Sequence, residues 1–150
     1  MATTATTLAD RGRAFRALHE REGAFIIPNP WDVGTARLLA HMGLQALATT
    51  SAGYAFSLGR CDQTVSRQAS LTYAAAIASA TSLPVSADLE NGFGDAPQTV
   101  AETVRLAAAA GVVGVSAYGV SPPATQFAPL RGARVRAPST EHSGSGYRRF

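Results

Sequence analysis

The chain has 150 residues, 46% of them hydrophobic and 15% charged, with a mean hydropathy of +0.04; this excludes a disordered chain and predicts a packed core of one domain or part of a larger one. The net charge of +3 does not argue for nucleic acid: the first 114 residues hold eight Arg against nine acids, and the excess lies in the last 36, with five Arg against Glu141 alone. All thirteen basic residues are Arg, which excludes Schiff-base and P-loop lysine chemistry, and the single Cys61 excludes intrachain disulfides and multi-cysteine metal sites.

Residues 7–22 place Leu8, Phe15 and Leu18 on one helical face among Arg and Glu, with Gly23 as the stop, and predict a surface helix. Residues 24–28 are a short apolar β run, and residues 33–42 read as a helix with Asp32 as N-cap and Gly43 as stop. Residues 45–50 are a second predicted strand and 51–65 a long loop, after which Ser66 caps a helix reaching about residue 80. Residues 83–89 are a third strand and 90–96 its loop; Pro97 then suits the first turn of a helix that runs to residue 110 before Gly111. A fourth strand opens at residues 112–116.

Strands alternating with such helices predict an α/β fold of parallel βαβ units. Two closures fit, an open doubly wound sheet or a (β/α)8 TIM barrel, and a whole barrel takes ~250 residues. Three βα units plus a fourth strand make a partial barrel. Residues 115–150 form an irregular tail rich in Arg, Pro and Ser, with four of the eight prolines. The expected division is therefore 1–114 and 115–150; a reading-frame shift or truncation near residue 115 would account for the change, and a natural disordered tail is the alternative. No apolar run approaches the ~20 residues of a membrane span and no secretory signal pattern opens the chain, so the expectation is a soluble, cytoplasmic protein with no membrane or nucleic-acid partner.

Three stretches carry candidate chemistry. In Ser-Ala-Asp-Leu-Glu-Asn-Gly-Phe-Gly at residues 86–94, Asp88 and Glu90 are two apart at the end of a strand, which on an extended chain turns both carboxylates to one side. Two hard oxygen donors with room for water suit Mg2+; a solvated loop start is the alternative. Residues 49–54, Thr-Thr-Ser-Ala-Gly-Tyr, end the second strand with small residues, Ser51, Ala52 and Gly53, whose amides can hold a carboxylate or enolate oxygen, or form only a tight turn. In residues 57–62, Asp62 can bring a third carboxylate to the same mouth and Arg60 can pair with an acidic substrate, with Cys61 a bystander. No G-x-G-x-x-G follows a strand, which argues against a dinucleotide site, and no nucleophile elbow or well-placed His supports a serine hydrolase.

Taken together, Pro-Asn-Pro-Trp-Asp-Val-Gly at 28–34, Ala-Thr-Thr-Ser-Ala-Gly at 48–53, Leu-Gly-Arg-Cys-Asp at 58–62 and the block at 86–94 resemble the isocitrate lyase and phosphoenolpyruvate mutase superfamily in order, spacing and wording. The resemblance covers about residues 8–114. It implies a (β/α)8 barrel, usually a homo-oligomer, that binds Mg2+ and a small 2-oxo acid or phosphonate, or its enolate, and makes or breaks a C–C or P–C bond. By position it implies that Ser51, Ala52 and Gly53 hold the substrate, that Asp62 is the loop acid near the metal, that Asp88 is the principal metal aspartate and Glu90 its second acid, and that Trp31 shapes the pocket wall.

There are departures. Cys61 stands where proline is common in the family, and Val115-Ser116-Ala117-Tyr118 stands where a Ser-Ile-Glu-Asp-like block supplies a further metal-site acid. The Lys-x-Cys-Gly-His loop of the lyase branch has no counterpart, so lyase catalysis by this chain alone is not expected. The expected function is that of a Mg2+-dependent enzyme of this type, incomplete in this chain; the alternative is a non-catalytic fragment or pseudoenzyme that associates through exposed barrel edges.

Overall fold

The computed structural model describes residues 6–118; the tail predicted to be irregular lies, from residue 119 onward, outside the described residues. Helix α1 (Leu8–Glu20) opens with a capping box in which the Thr7 hydroxyl accepts the Asp10 N–H and the Asp10 carboxylate accepts the Thr7 N–H. Such a cap contributes about 1 kcal/mol. The helix is more than a surface element, because Leu18 is buried and the Phe15 ring reaches the sheet: a Cβ added to Gly114 would lie 2.7 Å from it. Helix α2 (Val33–His41) is capped by Asp32 as its sequence predicts, through the Thr35 N–H at 2.7 Å.

Then follow β1 (Leu47–Ala48), α3 (Ser51–Ser57), α4 (Arg67–Ala80), β2 (Val85–Asp88), α5 (Pro97–Ala109) and β3 (Gly114–Ser116). The strands are parallel in the order β1-β2-β3, with Ala48 and Gly114 flanking Ser86 in register. Neighbours in space are neighbours in sequence, the order that successive strands of a barrel have.

Two elements differ from expectation. The apolar run at 24–28 is not a strand: its one backbone bond to the sheet runs from the Ala48 N–H to the Pro28 carbonyl, at 3.1 Å. Pro28 and Pro30 lack the N–H groups that a ladder needs, and the Asn29 side chain substitutes for them by donating to the Ala48 carbonyl at 3.0 Å. The supposed loop at 51–65 contains α3, started by Thr50, whose hydroxyl accepts the Gly53 N–H.

The core lies between sheet and helices. Leu71, Ala74, Ile77 and Ala78 recur at helical spacing along α4 and meet Leu47, Val85, Ala87 and Leu89 from the sheet side, with Ala36 of α2 and Ala107 of α5 closing the flanks. Ile77 and Leu47 are fully buried, each a burial of roughly 1.5–3 kcal/mol. This packing fixes the helix-facing side of β2 and leaves Ser86 and Asp88, its alternate residues, on the other face.

Candidate functional site

The site grows from the C-terminal ends of β1 and β2. Asp88, the last residue of β2, accepts two hydrogen bonds on Oδ2 from Ser51, one from its N–H at 3.1 Å and one from its hydroxyl at 2.9 Å. Its backbone N–H donates to the Thr49 hydroxyl at 3.0 Å, and its Oδ1 accepts the Glu90 N–H at 3.2 Å. The predicted convergence of the 48–53 and 86–94 blocks is thus a direct contact. Oδ1 keeps a free lone pair beside its single hydrogen bond, as a metal ligand requires.

Glu90 comes beside Asp88 by another route than strand alternation. The strand stops at Asp88, and a tight turn closed by the Gly92 N–H on the Leu89 carbonyl holds Glu90 at φ 51°. That left-handed backbone costs a non-glycine residue of order 1–3 kcal/mol and persists because its surroundings over-determine it. Glu90 is 7% exposed, and its carboxyl is held above the usual range by burial first, then by the negative charges of Asp62 and Asp88. Asp62, half-buried in the loop after α3, is near enough for its charge to act on Glu90. A cleft of about 210 Å³ opens there, lined by Gln63, Val65, Glu90, Asn91, Phe93 and Tyr118.

The three acids have no ion-pair partner among the described residues, where every salt bridge lies on a helix surface. Nor does any group of three or more His, Cys, Asp and Glu side chains there form a ready metal cage. The donors that exist fit a cation that keeps water and substrate in its shell and takes only one or two carboxylates, which is the habit of Mg2+.

Ser51, Ala52 and Gly53 are the first turn of α3 rather than an extended row of amides. Ser51 is directed at Asp88 and the Gly53 N–H at Thr50, so among the described residues the Ala52 N–H is the one of the three left without an acceptor. Trp31 stands against this turn: a Cβ on Gly53 would lie 2.6 Å from the indole Nε1. The indole is 48% exposed. Arg60 and Cys61 are exposed and are not brought into the acid cluster.

A profile of the phosphoenolpyruvate phosphomutase family matches residues 15–117. The chain belongs to that family. Among solved structures, a Burkholderia cenocepacia J2315 protein provisionally described as a lyase/mutase is 68% identical with a TM-score of 0.70, over 72% of this chain and 38% of that one. The crystal structure of 2,3-dimethylmalate lyase, a member of the phosphoenolpyruvate mutase/isocitrate lyase superfamily, is 29% identical with a TM-score of 0.62, over 73% of this chain and 39% of that one. An uncharacterized Mycobacterium tuberculosis protein, MT2054, is 36% identical over 100 residues, 66% of this chain. The chain spans 38% of that relative's length. The fold is therefore part of the TIM-barrel-like phosphomutase fold, and the family is one of mutases and lyases.

Two residues that organise the candidate site are not among those predicted. Tyr73 of α4 donates its hydroxyl to the Pro30 carbonyl at 2.6 Å and stacks on Tyr54 of α3, with ring centroids 4.1 Å apart. It ties the turn that carries Trp31 to the helix that carries Ser51. Burial, reinforced by the negative charge of Asp32, pushes the Tyr73 hydroxyl up to about 12. Thr103 of α5, fully buried, donates to the Gly92 carbonyl at 2.8 Å and steadies the turn behind Glu90. Neither residue carries a sequence signal, since a Tyr or Thr on an inward helical face reads as core.

Proposed function

We propose that this chain supplies the metal- and substrate-binding edge of a Mg2+-dependent phosphomutase-family enzyme that acts on a small 2-oxo acid or phosphonate, or its enolate, and makes or breaks a C–C or P–C bond. The observation that supports this reading is the mutual influence of Asp62, Asp88 and Glu90, three half-buried or buried acids with no ion-pair partner among the described residues. Asp88 and Glu90 would hold the ion, with Asp62 as a further acid on the opposite loop. Bound there, Mg2+ would polarise the oxygens of the oxo acid and offset charge growing on the enolate oxygen. The Ala52 N–H and the first turn of α3 supply hydrogen-bond donation to an anionic oxygen, Trp31 forms the wall that excludes water, and Ser51 keeps the Asp88 carboxylate pointed into the mouth. Glu90, whose proton is retained to higher pH than an ordinary carboxyl, can hold a proton or release it when a cation binds.

The test is calorimetric titration of the 150-residue chain with Mg2+ and with oxalate, a two-carbon dianion that mimics the enolate of a 2-oxo acid, comparing the unaltered protein with Asp88→Asn. The expected result is heat for the unaltered protein and an affinity lower by about tenfold to a hundredfold for the variant. No heat in either protein would overturn the catalytic reading in favour of a fragment that only associates through its sheet edges.

A further inference from the structure

The last rung between β1 and β2 is irregular. Up to Thr49 the ladder is regular, with the Leu47 N–H on the Pro84 carbonyl at 3.0 Å and the Thr49 N–H on the Ser86 carbonyl at 2.8 Å. In a continuing parallel ladder the Asp88 N–H would meet the Thr49 carbonyl. Instead it meets the Thr49 hydroxyl at 3.0 Å, while the carbonyl is turned toward the Asn29 side-chain amide at 3.5 Å. This substitution lets the backbone leave the sheet after Thr49 and enter α3 with the Asp88 N–H still satisfied, and it is that early departure that carries Ser51 back onto the Asp88 carboxylate. Thr49 is 5% exposed and, among the described residues, makes no polar contact of its own with an acid side chain, so its hydroxyl acts on the site only through the Asp88 N–H.

We infer that Thr49 is a positioning residue: its hydroxyl replaces a main-chain acceptor at the end of β1 and thereby sets the direction of the Asp88 carboxylate and its bond to Ser51. The inference deepens the metal-site reading above and rests on it for its functional consequence, but its geometric content stands apart from any ion. The residue that tests it is valine, which matches threonine in shape and branching without the hydroxyl, and serine, which keeps the hydroxyl and loses a methyl.

The experiment compares the full chain with Thr49→Val and Thr49→Ser by two measurements. The first, without metal, is amide hydrogen exchange at Asp88 and the NMR shift of the Ser51 amide. The expected result is a loss of Asp88 protection of about tenfold or more and a displaced Ser51 resonance in the valine variant, with near-native values in the serine variant and unchanged protection at Val85 in both. The second is Mn2+ affinity by calorimetry, expected to fall about tenfold for valine and less than threefold for serine, in the range seen when outer hydrogen-bond partners of metal ligands are removed. Native Asp88 protection in a folded valine variant overturns the inference, as does a serine variant that behaves like valine. If the unaltered chain binds no Mn2+ while the exchange results come out as expected, the positioning role of Thr49 stands and the metal reading fails.

Discussion

The two faces of β2 alternate along the same four residues, yet they are secured by different forces. Val85 and Ala87 are each 1% exposed and packed among aliphatic side chains of the helices, where close fit alone defines their surroundings. Ser86 and Asp88 face the other way, and Asp88 is held by four hydrogen bonds from Thr49, Ser51 and Glu90, counting the one its own N–H donates. Dispersion and burial tolerate neighbours of several kinds provided the volume is filled, whereas a carboxylate held by directed donors is fixed in position and direction. The helix side stabilises the sheet and the mouth side holds the candidate site, so substitutions on the two sides should have separable effects.

The largest effect is expected on the helix side. Ile77→Ala removes the fully buried centre of the α4 face and should lower unfolding free energy by about 2–5 kcal/mol, read from urea midpoints, with Mn2+ affinity of the remaining folded protein unaltered. A parallel loss of affinity would mean that the two faces are coupled. At the mouth, Gly53→Ala places a methyl 2.6 Å from both the Trp31 Nε1 and the Thr50 Cγ2, an overpacking of about 1–3 kcal/mol that has to displace the indole. Trp31 is the one tryptophan, so the displacement is expected as a shifted emission maximum; an unmoved spectrum would remove Trp31 from the wall of the site.

The smallest effect belongs to the tie between the two sides. Tyr73→Phe loses a buried hydrogen bond to Pro30 and should cost about 1 kcal/mol near neutral pH. Because the folded protein favours the neutral hydroxyl, raised to about 12, the contribution of Tyr73 is whole below the ordinary tyrosine value near 10 and is lost as pH rises through about 12. The stability advantage of the unaltered chain over the phenylalanine variant should therefore shrink from about pH 10 upward. A phenolate absorbance in the folded protein that titrates wholly near 10 would contradict this.

Much of the fold was legible in the chain itself. Asp32, Ser66 and Pro97 start α2, α4 and α5 where their spacing predicts, and the apolar runs at 45–50, 83–89 and 112–116 contain β1, β2 and β3. The two misread elements have separate causes. Residues 24–28 satisfy every compositional rule for a strand, but pairing is a property of two chains, and prolines at 28 and 30 withdraw the donors that a partner would need. Helix α3 is seven residues long, too short for a 3.6-residue period to stand out among Ser, Ala and Gly. At the site, the nearness of Asp88 and Glu90 was expected from alternation along a strand and is produced instead by a turn with Glu90 at positive φ, which no pattern of residue types announces.

The order of residues alone determined which acids exist, where they fall relative to strand ends, and that helices and strands alternate, because caps, stops and periodicities are local and are set by neighbours a few positions away. Tertiary structure alone decided that Ser51 bonds Asp88 across 37 positions, that burial, and after it the charges of Asp62 and Asp88, raise the proton affinity of Glu90, and that a hydroxyl on Thr49 takes the place of a carbonyl. Those are distances and directions between segments remote in sequence, and they acquire values only when the sheet, packed against its helices, brings the strand ends together.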